Sequence, residues 1–282
     1  MSFSPPRRRR RLDILIPSSF SKDTPHLREK TLRAGVLART LAAARVDTLI
    51  LYHEDPENPE DLNAKQLKLL MDYLNTAPYL RRRLYPLRRE LRYVGVLPPL
   101  NTPTHPESPS LEAEHWREGL VVSSNKVCVV EAGLGKPLKL GRRLRKGARV
   151  ILHLKPGKHG VRVKASSWRK TPVYPGFRTA IVEEPLRRVA EAYDYRVATS
   201  RYGQEIGEAL PTLKTRVEKA EKICVAFGSQ RQGLREILQQ QGSTLEEAFD
   251  ITVNTLPNQG VRTIRTEEAV AYTLAVLNLV LE

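Results

Sequence analysis

Apolar residues fall in short runs along this chain, separated by longer stretches with helical spacing. Leu12-Asp13-Ile14-Leu15-Ile16 reads as a buried strand, stopped by Pro17 and the turn residues Ser18-Ser19. Residues 26–44 then place Leu27, Thr31, Ala34, Leu37, Ala38 and Leu41 on one helical face. Thr48–Tyr52 is a second expected strand, ended by the polar, proline-containing stretch 53–61, and a further helix is expected from Ala64 to Leu74. Strand, helix, strand, helix in that order predicts an α/β fold, a parallel sheet covered by helices.

The pattern changes near residue 90. Leu91–Val96 is read as the start of a region of short strands, with Pro98, Pro99, Pro103, Pro106 and Pro109 forming a loop. Leu120–Val122 and Val127–Val130 flank Ser123-Ser124-Asn125-Lys126, an expected hairpin. Ala148–Leu154 and Val161–Lys164 flank Lys155-Pro156-Gly157-Lys158-His159-Gly160, a second. Short strands with glycine-bearing turns predict a small antiparallel, OB-like barrel, a shape that often binds nucleic acid on one face. Helical and parallel-strand character returns at Arg178–Val182, with helices expected at 186–193, 203–209, 231–240 and 265–281. The expected organisation is a disordered basic arm at 1–11, a discontinuous α/β domain at 12–90 and 178–282, and a barrel inserted at 91–177.

Three strand-to-loop junctions lie in the last third of the chain. The first is Val197-Ala198-Thr199-Ser200-Arg201-Tyr202-Gly203. The second is Lys222–Val225 running into Ala226-Phe227-Gly228-Ser229-Gln230-Arg231-Gln232-Gly233-Leu234. The third is the loop from Leu256 into the helix start Arg265-Thr266-Glu267-Glu268-Ala269. Asn258 and Gly260 permit unusual backbone angles, Thr266 is the expected N-cap, and Glu267 and Glu268 sit where the helix dipole favours them. Ala269, Val270, Leu274, Val276, Leu277, Val280 and Leu281 make the final helix apolar enough to pack on both sides.

These three fragments, in this order, resemble the motifs of the SPOUT superfamily of S-adenosylmethionine-dependent RNA methyltransferases. Within it they are most similar to the archaeal and eukaryotic branch of RNA uridine-N3 methyltransferases, which carries an RNA-binding insertion. The resemblance covers nearly the whole chain. It implies a SPOUT-type sheet with a C-terminal deep trefoil knot, in which loops 199–203, 226–234 and 254–264 wrap S-adenosylmethionine. The cofactor residues carried over are Thr199, Ser200, Gly203, Phe227, Gly228, Ser229, Gly233, Leu234, Asn254, Leu256, Asn258, Gln259, Gly260, Val261, Ile264 and Thr266. Gly228 and Gly260 would allow close approach, and Leu256, Val261 and Ile264 would form apolar walls. Taken singly, Gly228 and Gly233 read as ordinary turn glycines; the ordered set reads as a cofactor site. The resemblance also implies a homodimer, with the C-terminal helix near the interface.

Charge sharpens the choice of partner. The 282 residues include 47 Lys and Arg against 31 Asp and Glu, a formal charge of +16 and a pI near 10.0. Such an excess favours a polyanion, of which RNA is the commonest. Arg81, Arg82, Arg83, Arg88 and Arg89 cluster with Tyr79 and Tyr85; Lys139, Arg142, Arg143, Arg145 and Lys146 form a second basic group, followed by Trp168, Arg169 and Lys170. Basic groups hold phosphates and aromatics stack bases, so both clusters are candidate RNA contacts, although any one charge run also reads as solvated surface. Cys128 and Cys224 sit in apolar runs and read as buried thiols of a reducing cytoplasm. No apolar stretch is long enough to span a membrane, and Arg7–Arg11 precede no signal-peptide core. The six histidines lack metal-ligand spacing and Gly133-Leu134-Gly135 lacks the third glycine of a dinucleotide loop, so no metal is expected.

Methyl transfer needs a positioned acceptor more than a reactive side chain. A uridine acceptor must lose its N3 proton, and an arginine near the resulting anion would stabilise it. Arg201 is the first candidate, with phosphate contact or a surface ion pair as the plain alternative. Glu205 and Glu208 read as proton acceptors or as a solvated helix face, and Arg262 and Arg265 as RNA or cofactor contacts or as partners of Glu267 or Glu268. The expected function is methylation of uridine N3 in ribosomal RNA. The alternatives are 2′-O or purine methylation within the superfamily, and a non-catalytic RNA-binding ribosome-assembly factor.

Overall fold

The computed structural model describes residues 3–59, 61–108, 110–125, 127–158 and 160–281. Pro109 of the proline loop, and Lys126 and His159 of the two hairpin turns, lie outside the described residues. In chain order the elements are β1 (Arg11–Pro17), α1 (Leu27–Ala43), β2 (Thr48–Tyr52), α2 (Asp61–Leu74) and α3 (Pro78–Leu84). Next come β3 (His115–Ser124), β4 (Cys128–Glu131), β5 (Leu138–Leu140), β6 (Arg149–Gly157) and β7 (Gly160–Ser166). The chain continues with β8 (Arg178–Val182), α4 (Leu186–Ala190), β9 (Tyr195–Glu205), α5 (Ile206–Lys219) and β10 (Lys222–Ala226). It ends with α6 (Leu234–Gln240), α7 (Leu245–Ala248), β11 (Ile251–Asn254) and α8 (Thr266–Leu281).

Two compact units result. One comprises residues 8–72, 90–98 and 177–282, the other residues 1–7, 73–89 and 99–176. The stretch 73–89, which holds α3 and the first arginine cluster, therefore belongs with the antiparallel sheet.

The first unit is built on a six-stranded sheet in the order β11-β9-β10-β1-β2-β8, parallel throughout. Parallel strands are covered on both faces and so read as continuous apolar runs, which is what Ile14–Ile16 and Ile223–Ala226 are. Leu15, Ile50, Tyr52, Ala198, Cys224 and Ala226 pack against α4, α6 and α7 through Leu186, Leu234, Ile237, Leu238 and Leu245. The alternate residues Ile14, Ile16, Leu49, Leu51, Ile223 and Val225 point to the opposite face and are equally buried.

The second unit holds a five-stranded antiparallel sheet, β5-β4-β3-β6-β7, whose end strands β5 and β7 approach each other. Arg142 Nη1 donates to Ala165 O at 3.3 Å across that seam. The sheet is thus a nearly closed barrel filled by Val121, Cys128, Val130, Leu140, Val150, Leu152, Leu154 and Ala165. Glu118 is fully buried beside it, near Arg149 Nε, accepting from Ala77 N at 2.8 Å and lying 3.4 Å from His105 Nε2.

Several local expectations change. Leu91–Val96 forms two short 3-10 turns, Arg89–Leu91 and Val94–Val96, in place of a strand. Pro98 and Pro99 cannot donate to a ladder, and Leu97 instead packs onto Gly35 of α1, where an added Cβ would come within 2.6 Å of it. The expected helix at 203–209 begins only at Ile206, because β9 continues through Glu205. Arg265, not Thr266, caps α8: its carbonyl accepts from Glu268 N and Ala269 N, and its own N–H donates to Glu268 Oε2 at 2.9 Å. Within this single chain α8 buries one face, through Val270, Leu274, Leu277 and Leu281, while Tyr272 and Leu279 are 44% and 75% exposed.

The basic N-terminal run is engaged with the fold and is not a free arm. Pro6 bridges Val173 and Arg7 donates to the carbonyls of Trp168 and Arg169. Arg8 donates to Ala44 O at 2.9 Å and Leu281 O at 3.0 Å, at the ends of α1 and α8, where helix carbonyls need donors.

Candidate active site

The loops leaving β1, β2 and β10 enclose a cavity of about 390 Å³. They contribute Pro17–Asp23 without Ser18, Glu54, Asp55 and Asn58, and Ser229–Gln232; Arg33 and Thr266 complete the lining. Within the sheet β2 and β8 lie to one side of β1, and β10, β9 and β11 to the other. Loops leaving the C-terminal ends of β1 and β10 therefore diverge, and an open parallel sheet binds ligands at such a reversal.

The β1 loop has a defined shape. Asn63 of α2 donates to Ser18 O and Phe20 O, and Ser21 takes a left-handed φ of 59°. Non-glycine residues in that region are held there by their surroundings and cluster at functional loops. Asp23 links two walls: Arg33 Nη1 donates to Asp23 Oδ1 at 3.1 Å, and Gln230, its amide nitrogen turned inward, donates to the same oxygen at 3.0 Å. Arg33 also donates to both oxygens of Glu267, at 2.7 and 3.0 Å, and to Thr24 Oγ1 at 2.7 Å. Burial disfavours the Arg33 cation, and Glu267 and Asp23 outweigh that, raising its pKa above the ordinary arginine value. Its donors are thus committed to protein acceptors. Asn58 donates to Asp55 and holds that carboxyl below the usual range. The side chains facing the cavity otherwise offer Lys22 and Arg231 as cations, Glu54 as a carboxylate, and Ser229 and Gln232 as neutral groups.

The three loops expected to hold a cofactor are joined by hydrogen bonds. Thr199 Oγ1 donates to Ala226 O at 2.9 Å, tying the first junction to the end of β10. Asn254 Nδ2 donates to Arg201 O at 2.9 Å while its Oδ1 accepts from Leu256 N, so one side chain fixes both the first and third loops. Arg201 Nη1 donates to Arg262 O at 3.1 Å, its guanidinium 4.7 Å above the Tyr202 ring. Gln259 donates to Val261 O, and Ser200 Oγ accepts from Tyr202 N. Residues 199–203 form an outward excursion: Thr252 pairs with Ala198 but Val253 pairs with Gln204.

Glycine is required at two of these positions. A Cβ on Gly203 would come within 2.7 Å of the Val253 backbone, and one on Gly228 within 2.8 Å of Gln232 O. Gly233 N-caps α6, and Leu234 and Phe227 are buried beneath the loop, with Phe227 O accepting from the Tyr52 hydroxyl at 2.7 Å. Gly260 differs from expectation: its φ is not left-handed and a Cβ there would meet nothing within 4 Å. Asn258 is the residue with the unusual angle, φ 54°. Leu256 and Val261 are exposed, Ile264 is half-buried, and Thr266 is buried at the start of α8.

The candidate RNA contacts divide. Arg82, Arg88, Arg89, Arg143, Arg145 and Lys146 are exposed. Arg81 is used internally, donating to Thr76 O and Leu74 O and lying 4.7 Å over the Tyr73 ring. Arg83 reaches Glu131 at 3.4 Å, and Arg142 closes the barrel seam. Trp168 is 7% exposed under Arg149, so its ring face is not open to a base.

The cavity-lining groups Asp23, Arg33, Glu54 and Asp55 escaped the sequence reading, and Glu267, in the first turn of α8, pairs with Arg33 instead of with the expected Arg262 or Arg265. Arg33 left a trace: it sits next to Ala34 on the buried side of an otherwise apolar helix face, where a charge needs a partner. Among the described residues no group of three His, Cys, Asp or Glu side chains could hold a metal, and no helix is long and apolar enough to cross a membrane.

A crevice at the strand reversal of a parallel sheet, beside looped junctions rich in main-chain groups, is where an open α/β protein binds its ligand. The sequence profile of the family described as "Putative RNA methyltransferase" matches residues 11–277. The chain belongs to this family of RNA methyltransferases. It is 31% identical to an uncharacterized protein of Haloarcula marismortui, over 94% of this chain and 98% of that one. It is 30% identical to the human 28S rRNA (uridine-N(3))-methyltransferase, over 94% of this chain and 77% of the relative, and 29% identical to the mouse protein of the same name, over 94% and 75%.

Proposed function

We propose that this protein transfers a methyl group from S-adenosylmethionine to N3 of a uridine in ribosomal RNA. The observation that carries the reading is the match to the human 28S rRNA (uridine-N(3))-methyltransferase over 94% of the chain, a span that takes in both sheets. In this reading the chain segment 254–266 threads as the trefoil knot, and loops 199–203, 226–234 and 254–264 hold the methyl donor. The donor set suits it: exposed Leu256 and Val261 can flank an adenine, and the open space over Gly260 admits a ligand close to the main chain. When bound, S-adenosylmethionine supplies the electrophilic methyl group.

The acceptor uridine enters the neighbouring cavity, which shares Ser229–Gln232 with the donor loops. Glu54 takes the N3 proton, and Lys22 and Arg231 meet the negative charge that spreads onto the base carbonyls. Arg201 stands on the donor side and stabilises the same charge or an adjoining phosphate. The antiparallel unit serves as the RNA-binding insertion, through Arg82, Arg88, Arg89, Arg143, Arg145 and Lys146. The exposed face of α8 forms a homodimer contact, and the protein works in the cytoplasm.

The test is incubation of the protein with S-adenosylmethionine carrying an isotopically heavy methyl group and unmodified ribosomal RNA, followed by nucleoside mass spectrometry. Heavy 3-methyluridine is expected. Heavy 2′-O-methyl nucleosides or methylated purines would replace this reading with another acceptor. No labelled nucleoside, despite donor binding by calorimetry, would leave a non-catalytic RNA-binding factor. The Glu54→Gln variant should bind the donor normally and turn over about a hundredfold more slowly.

A further inference from the structure

The outer face of β3, β6 and β7 carries an aromatic pair that methyl transfer leaves unused. Trp116 of β3 lies opposite His153 of β6 in register, and their rings stack 4.2 Å apart with 7° between their planes. Lys164 of β7 is next in the same row, and Lys155 and Arg162 are paired in the row beside it. Strand alternation sets this face: Leu152, Leu154, Val163 and Ala165 fill the barrel, so His153, Lys155, Arg162 and Lys164 point away from it. His153 Nε2 lies 2.7 Å from Glu114 Oε1, and Lys155 donates to Glu114 Oε2 at 3.0 Å, which fixes the imidazole against the indole. Arg162 and Lys164 are exposed and have no ion pair among the described residues.

A solvent-facing sheet surface is ordinarily polar. Here it combines a pre-stacked indole and imidazole with two unneutralised cations, in a segment of high charge. Residues 99–176 contain 15 Lys and Arg against 5 Glu and no Asp. Stacked rings recognise the flat faces of unpaired bases, which a base-paired helix hides, and cations at one strand's spacing track a phosphate backbone.

We propose that Trp116 and His153 form a stacking platform for an unpaired base of RNA, with Lys164 and Arg162 holding the phosphates that flank it. This rests on the reading of the protein as one that acts on RNA, and it adds a contact on the barrel distinct from the buried Trp168.

The chain's two tryptophans make the test direct. Trp168→Phe leaves Trp116 as the sole tryptophan, excited selectively at the red edge where tyrosine does not absorb, and dye-labelled twelve-nucleotide oligouridylate and oligoadenylate, with a duplex of equal length, serve as probes. Single strands should quench Trp116 emission saturably, at concentrations where the duplex does not. In the otherwise wild-type chain, Trp116→Ala should weaken single-strand binding, read by anisotropy, about tenfold or more. Arg162→Ala and Lys164→Ala should each lower the slope of log affinity against log salt by roughly one. Wild-type affinity in Trp116→Ala, or bound oligonucleotide with unchanged Trp116 emission, overturns the platform while leaving RNA methylation intact. Tighter binding of duplex than single strand also overturns it. Failure of every RNA to bind the wild-type protein sinks the platform and the RNA reading together, whereas calorimetry with S-adenosylmethionine reports the donor site separately.

Discussion

Arg33 and Glu267 form a two-pronged ion pair, at 2.7 and 3.0 Å, across 234 residues of sequence. It ties the middle of α1 to the first turn of α8, and both side chains are largely buried. Removing one member strands the other charge away from water, which costs far more than losing a surface pair. Arg33→Ala and Glu267→Gln should each lower unfolding free energy by about 3–5 kcal/mol in denaturant titration. Replacing both residues with methionine should recover a large part of that loss, since a buried pair is worth little against well-packed apolar groups. A loss below 1 kcal/mol in both single variants would contradict the buried pairing.

Glu118 gives the fold a pH dependence in acid. Burial pushes its carboxyl up, but the Arg149 guanidinium, with the neighbouring His105 side chain, outweighs that and holds it at about 2, below an ordinary value of 4.5. A depressed carboxyl binds its proton more readily in the unfolded chain. Its contribution, about 3 kcal/mol, is complete above pH 4.5 and disappears as pH falls toward 2. Thermal melts should therefore show wild type losing stability over that window more steeply than Glu118→Gln, which starts lower and is flatter. Parallel curves for the two proteins would rule this out.

Gly203 and Gly260 should separate under the same substitution. Gly203→Ala drives a Cβ into the Val253 backbone at 2.7 Å and disturbs the β9–β11 excursion. A melting-point drop is expected, equivalent to about 1–3 kcal/mol, together with weaker donor binding. Gly260→Ala meets nothing in the chain, so its melting point should stay unchanged, and calorimetry then reads whether a ligand occupies that space. Unaltered donor affinity in Gly260→Ala would remove Gly260 from the proposed cofactor site.

Leu279 tests the proposed self-association. It is the most exposed large apolar residue of α8, beside Tyr272 on the same unburied side. Light scattering after size exclusion should find a dimer for wild type and a monomer for Leu279→Lys at micromolar concentration, with the melting point of the monomer lower. A wild-type monomer at that concentration would discard the dimer.

How much of this was readable from residues alone depended on the range of the forces involved. Apolar runs such as Leu12–Ile16 and Thr48–Tyr52 declared their strands, because a doubly covered parallel strand has few other ways to be apolar. The glycine loop after β10 was legible as a junction for the same reason, whereas residues 199–203, expected as a loop beyond a strand, lie within β9 as an irregularity of its pairing with β11. Arg33, Asp23 and Glu267 were not, because a long-range ion pair leaves no local period to detect. Trp168 and Arg81 were misread as open contacts since composition cannot tell a buried aromatic or a carbonyl-bound guanidinium from a surface one. Thr266 lost the cap to Arg265 through Glu268 reaching back, a one-residue difference that only hydrogen bonds decide.

The central position of β1 has a consequence for biogenesis. Its neighbour on one side, β2, emerges from the ribosome within a few dozen residues, but its other neighbour, β10, begins at Lys222. A nascent chain holds one hydrogen-bonding edge of β1 unpaired until more than two hundred further residues have been translated, and α8 follows β10 later still. Distant pairing of this kind slows folding and leaves an aggregation-competent edge in the interim, so synthesis rate and chaperone supply, more than final stability, should govern the yield of active protein.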